Sequence, residues 1–99
     1  MTEKQQLAIL TKVQKWVEKT LGKDNCADIS YRTGEEGQLY CEYANPDYPF
    51  ISFEGPMYDL MNYGDIDQWK FKESFDKFLD TLGLWYEMGN AWNITLYKD

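Results

Sequence analysis

The stretch ADISYRTGEEGQLYCEY, residues 27–43, decides what kind of fold this chain takes. Ala27, Ile29 and Tyr31 alternate with Asp28, Ser30 and Arg32, and Leu39, Cys41 and Tyr43 alternate with Tyr40 and Glu42. A period of two is what a half-buried strand requires. Between the two runs lies TGEEG, so the stretch predicts an antiparallel hairpin. Pro46 and Pro49 punctuate the chain beyond it, and Phe50–Glu54 reads as a short third strand at a sheet edge, because proline cannot donate to a ladder. Gly55-Pro56 stops that strand.

Working outward, Thr2–Leu21 repeats apolar residues at Leu10, Val13, Val17 and Leu21, widened by Leu7, Ile9 and Trp16, which predicts an amphipathic helix. Thr2 with Gln5 matches a capping box, and Gly22 supplies the stop. Lys4, Lys12, Lys15, Lys19 and Lys23 lie opposite the apolar stripe and read as an ordinary solvated exterior. Met57–Tyr63 predicts a short helix ending at Gly64. A longer helix follows, with Asp67 as N-cap, Ile66 and Phe71 as a hydrophobic staple, and Phe71, Phe75, Phe78, Leu79 and Leu82 inward before Gly83. Residues 84–97, LWYEMGNAWNITLY, predict a second hairpin turning at Gly89-Asn90, with Trp85, Trp92, Ile94 and Leu96 facing the helices.

The expected order is α-β-β-β-(short α)-α-β-β, one α+β domain over residues 1–99, with an antiparallel sheet of about five strands and the helices on one face. A chain of 99 residues has room for one core and no second domain. The first residues hold neither a signal-peptide apolar region nor a membrane span, which points to a cytoplasmic location. Cys26 and Cys41 lack CxxC spacing and read as small apolar residues. Asn93-Ile94-Thr95 matches a glycosylation sequon, which has no meaning without secretion.

Much chemistry is disfavoured by composition. There is no histidine, hence no Ser-His or Cys-His pair and no imidazole ligand, and two cysteines cannot complete a zinc site. The glycines stand singly, and the one close pair, Gly34-Glu35-Glu36-Gly37, is acidic and repels phosphate. No cofactor and no metal are expected. Direct nucleic-acid binding is disfavoured by a single arginine and a net charge of −7. A carboxylate-based hydrolase, a third reading, would need two acids facing across a cleft that a chain this short hardly provides.

The charge is regional. From Thr33 to Trp69 there is no Lys or Arg, yet the run carries eight carboxylates and eight aromatic rings. Like charges repel within about 8 Å in physiological salt, so these acids must point outward. An outward acidic surface interleaved with tyrosines suits a basic partner, the carboxylates steering its approach and the rings supplying desolvated area. The candidate partner-binding residues are Glu35, Glu36, Glu42, Asp47, Glu54, Asp59, Tyr40 and Tyr48. In size, acidity and lack of catalytic equipment the chain resembles the small acidic counter-defence proteins of phages and plasmids, such as anti-CRISPR and antirestriction inhibitors. That likeness implies a non-enzymatic inhibitor or adaptor that imitates a nucleic-acid backbone on the basic surface of a nucleic-acid-handling protein. The alternative is a receptor for a small ligand or cationic peptide, with Trp85 and Trp92 lining an aromatic pocket. The strand edge near Phe50–Phe53 also offers a route to a homodimer.

Overall fold

Thr2 starts the first helix in the way its neighbours dictate: its Oγ1 accepts from the Gln5 backbone N–H at 3.1 Å, and the Gln5 side chain accepts from the Thr2 N–H at 2.9 Å. In the computed structural model, which describes residues 1–99, α1 spans Glu3–Leu21 and ends at Gly22 with φ +86°. Leu10, Val13 and Val17 are buried along its length. A short 3₁₀ turn, Lys23–Asn25, leads into β1, Ile29–Arg32. Then come α2 (Gly34–Gly37), β2 (Phe50–Phe53), α3 (Gly55–Asn62), α4 (Ile66–Thr81), β3 (Leu84–Met88) and β4 (Asn93–Lys98).

The fold is α+β, but its sheet has four strands in the order β1-β2-β4-β3, every pair antiparallel. The hairpin expected over residues 27–43 does not form. Thr33 Oγ1 accepts from the Glu36 N–H, capping the helical turn α2. The N–H groups of residues 37–41 then bond back to the carbonyls of Thr33, Gly34, Glu36 and Gly37. Donors satisfied locally cannot build a ladder, so Leu39–Tyr43 lies in turns and Leu39 is 81% exposed. Its place beside β1 is taken by Phe50–Phe53, with Ile29 opposite Phe53 and Arg32 opposite Phe50.

That strand is central and not an edge, for β4 pairs with its other side, Phe50 opposite Thr95. Pro46 and Pro49 precede the ladder, where a missing N–H costs nothing, and the Pro49 carbonyl accepts from Leu96 N at 3.0 Å. The dimerisation route through the edge of Phe50–Phe53 is therefore closed: both sides of this strand are occupied within the chain.

Ile29, Ile51, Phe53, Ile94, Leu96 and Leu84 form one core with the buried stripes of α1, α3 and α4. The opposite sheet face is partly covered by residues 33–49, where Cys41 and Ala44 pack on Phe50 beside Trp92. The helix-facing half of the last hairpin also differs from expectation. Ile94 and Leu96 are inward, but Trp85 pairs with Tyr97 on the opposite face and Trp92 lies in the loop before β4. Met88 pairs with Ile94, and the four-residue connection Gly89–Trp92 is closed by Gly89 N donating to Asn93 O at 3.2 Å. A type II′ turn needs a positive φ at its glycine, which only Gly22, Gly55 and Gly83 adopt.

The fourth helix is capped by Asp65 instead of Asp67. Asp65 Oδ1 accepts from the N–H groups of Asp67 and Gln68, and the Gln68 side chain accepts from Asp65 N at 2.7 Å. Asp67 has a lysine three residues on and cannot close such a box. Ile66 is consequently exposed inside the first turn, with no staple to Phe71, while Phe71, Phe75 and Leu79 are buried as the period required.

Candidate functional site

All eight carboxylates of the base-free run are exposed, and the only ion pair in the molecule is Lys77–Glu73 at 3.2 Å, outside that run. The sheet divides the acids between two layers. Glu35 and Glu36 stand on α2 and, with Glu3 of α1 and Leu39, line a shallow depression. Glu42 and Asp47 follow in the turns that cross the second sheet face, Asp47 N donating to Asn45 Oδ1 at 3.0 Å. Glu54 follows β2 at the start of α3 and lines the same cleft as Tyr40. Asp59 rides on α3, with Asp65 and Asp67 at the start of α4, in the helical layer.

Tyr40 is exposed on one side and on the other carries the Arg32 guanidinium, 4.1 Å above its ring centroid. Tyr48 is half-buried and meets Tyr97 in a tilted contact at 4.8 Å between centroids, and Tyr97 in turn stacks on Trp85 at 4.9 Å. Of the eight large apolar side chains most exposed on the molecule, six fall in the base-free run: Leu39, Tyr40, Tyr43, Tyr63, Ile66 and Trp69. Exposed rings and unpaired carboxylates thus share the same third of the chain.

The segment 33–49 holds this position through Gln6. Its side-chain carbonyl accepts from Gly34 N at 2.8 Å and its Nε2 donates to Pro46 O at 3.2 Å, so one buried amide joins α1 to both ends of the segment.

Trp85 and Trp92 line separate clefts rather than one aromatic pocket. Trp85 borders a cleft of about 360 Å³ with Asp76, Asp80 and Asp99. Trp92 borders one of about 410 Å³ with Arg32, Tyr40 and Glu54. Residue patterning left Arg32 unremarked as the last base before the acidic run, although Asp28, Ser30 and Arg32 share the outward phase of β1. That phase was the available signal.

Burial pushes the Asp76 carboxyl up from its usual range, with Lys72 opposing. A raised pKa means that the fold prefers the protonated form, so this group's contribution is lost as pH rises through the ordinary carboxylate range. Asp76→Asn is expected to raise the melting temperature at pH 7, with the gain vanishing below about pH 3. Thermal melts of both proteins across that range check it; an equal gain at low pH would refute the assignment. Burial also raises the Tyr31 phenol, with Cys26 and Glu18 adding to it. Cys26 and Cys41 are free thiols, Cys41 accepting from Asn90 Nδ2 at 3.4 Å. The sequon residue Asn93 is buried in β4, closed to modification in the folded chain. No cluster of three or more His, Cys, Asp or Glu side chains is grouped as a metal would need, and no helix is long and apolar enough to cross a membrane.

No family model matches the chain, and no curated protein or solved structure shows significant similarity to it.

Proposed function

We propose that this protein is a non-enzymatic inhibitor or adaptor that docks its acidic surface on the basic surface of a nucleic-acid-handling protein, standing in for a nucleic-acid backbone. The observation that carries this reading is the coincidence of eight exposed, unpaired carboxylates with most of the molecule's exposed rings in one base-free run. Hydrated acids alone would serve solubility; large rings left in water beside them are costly without a partner to cover them. Glu35, Glu36, Glu42, Asp47 and Glu54 provide the anionic groups around Tyr40 and Tyr48, with Asp59 contributing from the helical layer. Long-range attraction between these acids and a basic groove steers the approach of the partner.

The test is charge reversal. Changing Glu35, Glu36, Glu42 and Glu54 together to lysine is expected to weaken capture of a basic nucleic-acid-binding partner by roughly tenfold or more at low salt, while leaving the fold intact because all four are exposed. Binding by the parent protein should itself fall steeply with salt. Affinity that ignores both the reversals and the salt would end this reading.

A further inference from the structure

The one arginine of the chain is held in place without an acid. Arg32 Nη1 donates to Ser52 Oγ at 3.1 Å and its guanidinium lies on the Tyr40 ring, but no carboxylate reaches it in a molecule with seventeen of them. A guanidinium has five donors, most of them free here, arranged to fit a carboxylate in a bidentate pair. The Arg32 backbone lies at one end of the 410 Å³ cleft on the sheet face away from the helices, and its guanidinium leans inward to Ser52. Ser30 and Ser52, directly opposite each other, form the middle. Asp28 and Glu54 close the other end, their backbones joined by Glu54 N donating to Asp28 O at 3.1 Å. Trp92 forms a wall of the cleft, its carbonyl accepting from Phe53 N at 2.8 Å and its side chain packing against the cluster of Cys41, Ala44 and Phe50.

The cleft is therefore bipolar: a cation, two hydroxyls, then two carboxylates, with an indole in its wall. Because the guanidinium sits over Ser52, the two charged ends are separated by about two strand residues, roughly 7 Å. An anion alone would meet the acids, and a cation alone would meet Arg32. Matched to both is a molecule bearing a carboxylate and a cation about 7 Å apart on an aliphatic stem, the reach of a lysine side chain.

We propose that this cleft binds the carboxyl-terminal lysine or arginine of a peptide chain. The terminal carboxylate pairs with Arg32, the preceding amide meets the Ser30 and Ser52 hydroxyls, the stem lies along Trp92, and the cationic head sits between Asp28 and Glu54. A free amino acid shares the carboxylate and side-chain cation but adds an α-ammonium beside Arg32, which repels it. The cleft shares Glu54 and Tyr40 with the acidic surface, but its anchor is the one arginine and its ligand need not belong to a basic partner, so loss of binding on Arg32→Gln or Asp28→Asn tests it apart from that reading.

The experiment follows backbone amide and indole signals by NMR while N-acetyl-L-lysine is titrated into the full chain. Expected are saturable shifts at Ser30, Arg32, Ser52 and the Trp92 indole, with at least tenfold weaker binding of N-acetyl-L-lysine amide, N-acetyl-L-norleucine and free L-lysine. Arg32→Gln should weaken binding at least tenfold. Glu54→Gln and Asp28→Asn change only exposed side chains, Glu54 making no side-chain cap to α3, and each should weaken it at least threefold. These two variants decide the matter even where Arg32→Gln disturbs the fold. Absence of saturable shifts, unchanged affinity in both acid variants, or equal binding of the amide would overturn the proposal. Equal or tighter binding of free lysine would overturn the assignment to a peptide terminus.

Discussion

Truncating Phe75 to alanine is expected to remove about 3–5 kcal/mol of stability, a large part of the roughly 5–15 kcal/mol on which a domain of this kind rests. The ring is fully buried on α4 and touches three others, with centroids 5.5 Å from Trp16, 5.9 Å from Phe71 and 5.5 Å from Tyr86. It joins α1, α4 and β3, so its loss leaves a cavity where three elements meet. Aromatic pairs add to the burial term, which puts the expected loss in the upper part of that range. A urea titration monitored by tryptophan fluorescence measures it. Trp69→Ala is the comparator: the same helix, a larger ring, but exposed, with an expected change within about 0.5 kcal/mol. A Phe75→Ala loss under about 1 kcal/mol would show that the aromatic cluster does not anchor the helices.

Gly34→Ala is expected to destabilise by about 3 kcal/mol or more, lowering the melting temperature by roughly 12 °C or more. The reason is proximity and not backbone angle, because Gly34 does not have a positive φ. A Cβ there would come within 1.8 Å of Asn45 O and 2.4 Å of Tyr48 O. Those atoms are backbone and cannot swing aside as a side-chain end would. Their displacement would also pull on the Gln6 bond to Gly34 N, so the whole 33–49 segment should loosen together. Gly64→Ala is the control: a Cβ at that position meets nothing within 4 Å, and its φ is ordinary. It should be neutral or gain up to about 1 kcal/mol through the unfolded chain. Similar melts for the two variants would mean that the segment is not packed as tightly as these distances say.

The long helices were legible because apolar spacing and caps spoke together, as at Thr2-Gln5 and along Phe71, Phe75 and Leu79. Ile94 and Leu96 were legible as inward for the same reason of period. The failure at Leu39–Tyr43 shows what alternation omits. Thr33 and Glu36 stand three apart, the signature of a capped helical turn, and that local hydrogen bonding outweighed a pattern of two in which Leu39 and Tyr43 are both exposed. The central position of Phe50–Phe53 had a signal too. Phe50, Ile51 and Phe53 form a nearly continuous apolar run, which a strand covered on both faces shows and a one-sided edge strand does not. The acidic surface was readable as charge, but its division between layers was not, since that depends on which side of the sheet each connection crosses.

The strand order also sets a schedule. Phe50 pairs with Thr95, 45 residues further along, and β1 is held to the rest of the sheet only through β2. Long-range pairing of this kind must close its loop before it yields any stabilisation. As the chain leaves the ribosome, α1 can coil by itself, but the sheet stays open until β4 has emerged to flank β2. Until then Phe50, Ile51 and Phe53, among the most deeply buried side chains of the finished molecule, lack the β4 side of their cover. The negative charge of residues 33–69 flanks them in the sequence, and like-charge repulsion disfavours association between chains whose sheet has not closed.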